Sequence, residues 1–260
     1  MIHFLSFGAG SQNYLDAVKR ITQEAIELDI FTSVNGLTDI DLRTDTEFWE
    51  KHGHFIETSG RGFGFWLWKP YIILKTLSSL NDGEILMYID SGCELDSSMV
   101  DELPLYIEHV KTHGMWGTRG SPWDFSNDIQ YCKRDASVKY NLPVSALEKG
   151  HIQGSIHIVM KCEATLKILR EWYSDCEDYQ CISDTPSVEP NFPSFIDHRH
   201  DQSIYNLILK KYGIEDTIIY DGSVNFIQIA HNRSGVKTRN ISARAITGTQ
   251  AGSNDFMAFP

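Results

Sequence analysis

One apolar run, EILMYI at residues 84–89, constrains the fold more than any other stretch of the chain. Strands covered by helices on both faces read as continuous apolar runs, so this run predicts a buried strand. Two earlier segments, IHFLSF at 2–7 and DIFTSV at 29–34, predict further strands. A helical apolar period follows the first strand, and another helix begins at Lys69-Pro70. The order β-α-β-α-β predicts parallel strands with helices on both faces.

The second half of the chain continues this alternation. Strands are predicted within GMWGTR (114–119), HIQGSIHIVM (151–160), DTIIY (216–220) and VNFIQIA (224–230). Helices are predicted within 162–176 and 197–212, and Gly213 is the expected C-cap of the second. Residues 239–260 have little periodicity. We therefore expect a single α/β domain over 1–238 with a mostly parallel central sheet, followed by a tail or lid over 239–260.

Charge and cysteine usage exclude several classes of function. The chain has 23 Lys and Arg against 35 Asp and Glu, and this net charge of −12 disfavours nucleic acid as a partner. The five cysteines are widely spaced without a C-x-x-C pair, which indicates reduced thiols in a cytoplasmic protein. Because no run of about 18 apolar residues is present, we expect no transmembrane segment.

Asp90 directly follows the buried strand and precedes Ser91 and Gly92. Ligands of open parallel sheets bind beyond the carboxyl ends of the strands, where this carboxylate would lie. Gly92 leaves room for a close approach to the backbone, and a carboxylate with phosphate oxygens suits Mg²⁺ or Mn²⁺. We therefore expect Asp90 to hold a nucleotide diphosphate through a divalent ion. The alternative is a solvated or capping aspartate in a turn.

The turn after the first strand, GAG at 8–10, raises the possibility of dinucleotide binding. Asn13 replaces the third glycine of that motif, and the predicted second strand ends in VNG at 34–36 without an acidic residue to hold a ribose. A nicotinamide-dependent oxidoreductase therefore remains an alternative. We expect the base or ribose of a nucleotide to contact Phe7, Gly8 and Gly10.

The segment RGFGFWLWKP, 61–70, places Lys69 directly before a helix N-terminus. A cation there opposes the helix dipole, so we expect an anion beside it, such as the diphosphate of a donor. Trp66 and Trp68 are explained more simply by core packing.

Two later clusters carry polar side chains. DHRHDQS, 197–203, fits N-capping by Asp197 or Asp201, a zinc site from His198 and His200, or acid, base or carbocation-stabilising chemistry. In HNRSGVK, 231–237, a histidine at a strand end is followed by Gly235 and Lys237. This second cluster suits a metal-diphosphate complex, and a purely structural histidine is its alternative.

The segments GFGFWLWKPYIILKTL, ILMYIDSGCEL and HRHDQSIYNLI resemble the sugar-nucleotide-dependent glycosyltransferases of capsule and O-antigen synthesis, which have the GT-A fold. More distantly, HIQGSIHIVMK, HDQSIYN and HNRSGVK are similar to successive motifs of the retaining galactosyl- and glucosyltransferases related to glycogenin. The matches lie in order over residues 2–237. The resemblance implies a hexosyltransferase that acts with retention on a nucleotide sugar, with UDP as the expected carrier.

The resemblance also implies roles on the donor side of the site. Asp90 matches the first aspartate of the D-x-D metal motif, and His231 matches the C-terminal metal histidine. Lys237 matches the lysine that grips the donor diphosphate. Gly92 stands where the second aspartate belongs, which leaves the metal sphere to be completed by Ser91, Glu94 or water.

On the sugar side, Asp201 and Gln202 match the pair beside the anomeric carbon, and His200 adjoins them. Gln153, Gly154 and Ser155 match the segment that lines the sugar pocket. The expected chemistry is departure of a diphosphate, stabilised by Mn²⁺ or Mg²⁺ with Lys237 and Lys69, from an oxocarbenium-like centre near Asp201.

The acceptor is expected to be a glycan or a lipid-linked sugar. Peripheral contact with the inner membrane face would suit the basic residues Arg233, Lys237, Arg239 and Arg244. Trp116 and Trp123 fit either an acceptor cleft or the core. Because Gly92 replaces an expected metal ligand, a non-catalytic module that binds nucleotide sugars or glycans is the alternative function.

Overall fold

The central sheet has five strands in the order β2-β1-β3-β6-β5. The computed structural model describes residues 1–119, 127–220, 222 and 225–238. Its strands are β1 (Ile2–Gly8), β2 (Ser33–Thr38), β3 (Ile85–Ile89), β4 (Glu94–Leu95), β5 (Met115–Trp116), β6 (Ile156–Met160) and β7 (Ile227–Gln228). β1 is parallel to β2 and β3, whereas β6 is antiparallel to β3 and β5. Four strands thus share one direction, and the expected α/β class with a mostly parallel sheet is confirmed.

Helices cover both faces of the sheet. Those described are α1 (Gln12–Glu27), α2 (Asp39–Thr44), α3 (Thr46–Thr58), α4 (Gly62–Phe65), α5 (Trp68–Ser79), α6 (Leu103–His113), α7 (Asp128–Tyr131), α8 (Arg134–Ser137), α9 (Val144–Leu147), α10 (Glu163–Cys176), α11 (Tyr179–Ile182) and α12 (His200–Tyr212). Short 3₁₀ helices span Ser97–Glu102 and Val138–Tyr140. A separate two-stranded sheet pairs β4 with β7.

The core is divided by the sheet, because successive strand side chains point to opposite faces. On β3, Leu86 and Tyr88 belong to one apolar cluster, whereas Ile85, Met87 and Ile89 belong to the other. All five are buried. The prediction that EILMYI forms a strand covered on both faces is therefore confirmed.

Several predicted elements differ from the structure. The second strand lies at 33–38, not 29–34, because its pairing with β1 sets its position and an edge strand tolerates its polar sequence SVNGLT. The strands predicted at 114–119 and 151–160 shorten to β5 and β6. The segment 216–220 is not a strand and makes only a bridge between Ile219 and Gly117. Helices α1, α5, α10 and α12 form as predicted, and Gly213 has the left-handed C-cap conformation with φ of 65°.

Within the described part of the chain, no helix has the length and apolarity that crossing a bilayer requires. The predicted tail or lid at 239–260 lies outside the described residues, as does Trp123. Trp116 is 1% exposed and belongs to the core. All five cysteines are free thiols.

Candidate functional site

A buried ammonium group joins two carboxylates at the carboxyl end of β3. Lys69 Nζ lies 3.1 Å from Asp90 Oδ1 and 3.6 Å from Asp201 Oδ2. The same ammonium donates a 2.9 Å hydrogen bond to the Gly154 carbonyl oxygen, and its residue is 3% exposed. Asp90 also accepts a 2.6 Å hydrogen bond from the Tyr88 hydroxyl. The anion expected beside Lys69 is therefore supplied, in this structure, by the protein's own carboxylates.

For both Lys69 and Asp201, burial and the neighbouring opposite charge shift the pKa in opposite directions. Burial raises the pKa of Asp201 to about 7, helped by the nearby Asp90 charge and opposed by Lys69. One of its oxygens, Oδ2, is buried without a hydrogen-bond partner among the described residues. Burial acts to lower the pKa of Lys69, but the charges of Asp90 and Asp201 outweigh it and the pKa is raised. The ammonium therefore stays charged, while the Asp201 carboxyl exchanges its proton near neutral pH.

A strained turn delivers Lys69 to the site. Phe63, Phe65 and Trp66 have φ of 50°, 52° and 60°, and the glycines between and before them are also left-handed. Left-handed backbone costs a non-glycine residue roughly 1–2 kcal/mol, so three such residues mark a conformation imposed by their surroundings. Gly64 is required by space as well, because a Cβ atom there would lie 2.6 Å from Ile56 Cγ1. Such strain is common where side chains are held for function.

The segment predicted to line a sugar pocket lies beside Asp90 and α12. Asp90 N–H donates a 2.8 Å hydrogen bond to the Ser155 carbonyl, and Gln153 N–H donates one of 2.9 Å to Thr118. A Cβ atom at Gly154 would lie 3.1 Å from Gln202 Cβ, so the glycine permits α12 to approach closely. Gln202 Nε2 in turn donates to the Ile152 carbonyl at 3.1 Å. The structure thus brings these predicted residues to one place.

The loop that carries His231 packs against the loop that follows Asp90. Asn232 N–H donates a 2.9 Å hydrogen bond to the Gly92 carbonyl, and a Cβ atom at Gly92 would lie 3.7 Å from His231 Cα. His231 itself is exposed and has φ of 49°. The two residues predicted to share a metal ion therefore lie on adjoining loops.

A buried arginine that the sequence analysis did not select holds these loops together. Arg20 is 6% exposed and donates to the carbonyls of Ser91 at 2.8 Å, Cys93 at 2.9 Å, Asn232 at 3.2 Å and Ser234 at 3.0 Å. Its i,i+4 partner Glu24 lies 2.6 Å away. A charged pair beside the apolar face of α1 was the available signal, since long-range partners are not visible in a sequence.

Glu94 and Lys237 have partners that bear on their predicted roles. Glu94 is 0% exposed and accepts hydrogen bonds from Asn232 and from the Thr238 amide and hydroxyl. It is therefore occupied by the C-terminal loop. Lys237 donates to the Leu95 carbonyl, and Gly235 lies against Asp16 of α1. These contacts lie along α1 and β4, so the predicted diphosphate contact of both residues stays a prediction.

At the end of β1, the predicted nucleotide contacts are explained by packing. Phe7 is 3% exposed, and its ring centroid lies 4.0 Å from that of Trp68, so core packing accounts for its ring and its contact with a base or ribose stays a prediction. A Cβ atom at Gly8 would overlap the Tyr14 carbonyl, so this glycine lets α1 approach the strand. Gly10 is left-handed with φ of 87° and remains the turn residue of the three.

The expected lack of an acidic residue after the second strand was also wrong, because the strand ends four residues later than predicted. Asp39 follows it directly, but this carboxylate lies 3.4 Å from Arg43. Asp41, two residues on, accepts a 2.7 Å hydrogen bond from the Thr38 amide in a capping box. Both acids are thus used in the start of α2.

The cluster at 197–203 separates into different roles. Asp197 forms a two-pronged pair with Arg61 at 3.0 and 3.3 Å, and neither aspartate caps α12, whose N-cap is Arg199 without a side-chain hydrogen bond. Both ring nitrogens of His198 form hydrogen bonds with backbone groups. Neither is available to a zinc ion, so the zinc interpretation is wrong. No group of three or more potential metal-binding side chains was found in the described ranges.

His200 is a buried ring at the start of α12. Its Nδ1 donates a 2.7 Å hydrogen bond to the Ile182 carbonyl, and its ring stacks on Trp66 with centroids 5.4 Å apart. Burial lowers the pKa of His200, so the ring is neutral near pH 7. None of these contacts involves the side chain of Asp201, and the predicted catalytic role of His200 stays a prediction.

Comparisons with known proteins return glycosyltransferases. No protein-family model matches the chain, and no curated protein matches it. Among solved structures, the galactosyltransferase LgtC in complex with donor and acceptor sugar analogues is 11% identical with a TM-score of 0.43, covering 79% of this chain and 70% of that one. Mouse xyloside xylosyltransferase 1, apo form, is 10% identical with a TM-score of 0.37 and coverages of 85% and 84%.

A glycosyltransferase involved in glycosylation of the major capsid of PBCV-1 is 14% identical with a TM-score of 0.39 and coverages of 86% and 95%. All three are named as glycosyltransferases, as is the group that the sequence resembles. At such TM-scores the likenesses carry no weight in assigning an activity, which has to come from the site.

The Asp201 carboxyl predicts a pH-dependent stability. A folded-state pKa of about 7, above the ordinary 3.8, means that the folded protein binds this proton more tightly than the unfolded chain. Its stabilising effect is complete below about pH 4 and is lost as pH rises towards 7. Asp201→Asn removes this loss, so we expect the variant to gain about 2–3 kcal/mol relative to wild type between pH 5 and pH 8.

Urea unfolding at several pH values measures this difference. Asp82→Asn, whose side chain is 91% exposed, is the matched control and is expected to show no such trend. A pH-independent difference between Asp201→Asn and wild type would contradict the proposed titration.

The Arg20 contacts predict a large loss of stability on truncation. Arg20→Met leaves four backbone carbonyls and Glu24 without their buried partner, and we expect a loss of about 3–5 kcal/mol in the free energy of unfolding. Lys19→Met, on the exposed face of the same helix, should change it by less than about 0.5 kcal/mol. Equal small effects from both variants, measured by urea unfolding, would show that the loops do not depend on Arg20.

Proposed function

We propose that the protein is a glycosyltransferase that moves a hexose from a nucleoside diphosphate, UDP in the first instance, to a glycan or lipid-linked acceptor. The observation that carries the proposal is the cluster of Lys69, Asp90 and Asp201 at the carboxyl end of β3, with the His231 loop beside it. A cation between two carboxylates, one of them titrating near neutral pH, suits a reaction in which a diphosphate leaves and a positive sugar centre forms.

The donor side of the proposal uses Asp90 and His231 to hold a divalent cation. Their donor set fits such an ion: the Asp90 side chain is 31% exposed, His231 is exposed, and nothing nearer than 3.7 Å faces a Cβ atom at Gly92. Glu94 is occupied by the C-terminal loop and Ser91 is 4% exposed, so diphosphate oxygens and water would supply the other ligands. When bound, Mn²⁺ or Mg²⁺ offsets the charge of the leaving diphosphate.

The sugar side of the proposal uses Asp201 and Gln202. Asp201 Oδ2 has no hydrogen-bond partner among the described residues and lies 3.6 Å from the Lys69 ammonium, and its proposed role is either that of a nucleophile or that of a group that holds the acceptor hydroxyl for attack on the same face of the sugar. Both roles need the carboxylate form, so transfer should become faster as pH rises through about 7. Gln202 closely approaches Gly154, beside the segment proposed to line the sugar pocket.

Thermal unfolding with nucleotides tests the donor side. UDP at about a hundredfold excess over its dissociation constant should raise the melting temperature by about 5–10 °C with Mn²⁺, and by much less with EDTA. Asp90→Ala should abolish the metal-dependent part, whereas Asp82→Ala, at an exposed carboxylate, should preserve it. If UDP, GDP and ADP all leave the melting temperature unchanged with Mn²⁺, the proposed donor site is wrong.

A second candidate is a module that binds nucleotide sugars without transferring them. It is favoured by Gly92, since only Asp90 and His231 of the described residues are proposed as metal ligands where D-x-D would add another. Donor consumption separates the candidates. If UDP-glucose and UDP-galactose bind with Mn²⁺ but stay intact in the presence of a broad acceptor panel, the binding module is preferred.

A further inference from the structure

A cavity of about 380 Å³ lies between α3, the strained turn, and α11 with the chain that follows it. None of the residues predicted from the sequence to bind donor or metal lines it. Its wall combines aromatic rings with hydroxyl, amide and carboxylate groups, so it is a candidate site for a second ligand.

One wall of the cavity is an aromatic platform. Phe55 and Tyr179 stack with ring centroids 3.9 Å apart and planes 3° from parallel, and Phe65 adds a third ring 5.8 Å from Phe55. The Tyr179 hydroxyl is already engaged, at 2.8 Å from His52 Nδ1 and 3.2 Å from the Lys51 carbonyl. Tyr179 therefore presents its ring, rather than its hydroxyl, to a ligand. Because the two stacked rings cover each other's facing surfaces, they offer a ligand their remaining apolar surface, which suits the C–H groups of a sugar ring.

The opposite side of the cavity offers a carboxylate. Asp184 is 43% exposed, and its nearest charged or titratable neighbours, Arg61 and His200, each lie 3.6 Å away. Its lone pairs are therefore open to hydrogen-bond donors, and Ser59 and Thr185 lie on the same lining. No lysine or arginine is among the described residues that line the cavity. This combination favours a neutral polyhydroxylated ligand over an anion such as a phosphate.

His200 connects the cavity to the proposed catalytic carboxylate. Its Nε2 is buried without a hydrogen-bond partner and faces the Asp184 carboxylate, while its backbone is left-handed with φ of 50°. A neutral imidazole nitrogen and a carboxylate both accept hydrogen bonds, so neither satisfies the other. Asp201 is the next residue along α12, so the ring that faces Asp184 directly precedes the proposed catalytic carboxylate.

We propose that this cavity is an acceptor subsite that binds one neutral sugar ring, packed against the aromatic wall of Phe55, Phe65 and Tyr179 with its hydroxyls donating to Asp184. The identification of the ring as part of the acceptor rests on the proposed glycosyltransferase function, whereas the binding of a sugar ring does not. The subsite would favour acceptors that are glycans over acceptors that are simple alcohols.

Saturation-transfer NMR with methyl glycosides of glucose, galactose, mannose and N-acetylglucosamine tests the subsite on the full chain. We expect at least one glycoside to bind wild type, and Asp184→Asn and Phe55→Leu each to raise its dissociation constant by at least about fivefold. Asp82→Asn is the control for loss of an exposed carboxylate. No binding to wild type, or binding unchanged in both variants, overturns the subsite.

The UDP thermal shift with Mn²⁺ is measured on the same variants, because it reports on the donor side and on folding. We expect it to be unchanged in Asp184→Asn and Phe55→Leu. If glycosides bind in a variant-sensitive manner but no nucleotide binds, the subsite stands and the glycosyltransferase proposal falls. If the nucleotide shift is intact and glycoside binding is absent, the subsite alone falls.

Discussion

The arrangement of the site depends on one buried charge, the ammonium of Lys69. Burial of an unpaired cation at 3% exposure carries a large desolvation free energy. Lys69 is tolerated there because Asp90, Asp201 and the Gly154 carbonyl surround it. These partners come from the end of β3, from α12 and from the segment before β6. One side chain therefore sets the relative positions of three parts of the fold, and the strain of the turn before α5 is offset by these contacts.

The charges of Lys69, Asp90 and Asp201 also determine the electrostatic potential that an anionic ligand encounters at the site. Two carboxylates and one ammonium leave an excess of negative charge when Asp201 is ionised, and near neutrality when it is protonated. A diphosphate approaching the ionised form is repelled unless a further cation accompanies it. Charge balance therefore supports the proposal of a divalent ion on Asp90 and His231, in addition to the resemblance of the sequence.

The sequence predicted those features that local pattern determines. An uninterrupted apolar run predicted β3 and hence the placement of Asp90, and helical periodicity predicted α12 and its polar start. The resemblance to a family with a shared metal site predicted that the loops of Asp90 and His231 meet; strand direction did not, because β7 pairs antiparallel with β4 in a separate sheet. The edge strand β2 was misplaced because its polar sequence carries little pattern, and its position depends on pairing with β1.

The features that the sequence did not predict are those that depend on distant partners. Arg20 reads as a surface helix residue until the loops that it binds, at 91–93 and 232–234, are known. His198 and His200 are two residues apart, yet one is bonded at both nitrogens and the other borders a cavity. Polar residues that are neighbours in the sequence at a helix start can face different surroundings. Their partners are set by tertiary packing, which the local sequence does not show.

A glycine at position 92 could have a steric or a chemical reason, and the structure distinguishes the two. Its φ is not positive, and a Cβ atom there would meet nothing nearer than the ordinary contact of 3.7 Å to His231 Cα. Neither backbone conformation nor close packing therefore requires a glycine at this position, in contrast to Gly8 and Gly64. The missing second carboxylate is a chemical property of the sequence, and in the proposed site it would leave more of the cation's ligands to be supplied by the oxygens of the donor.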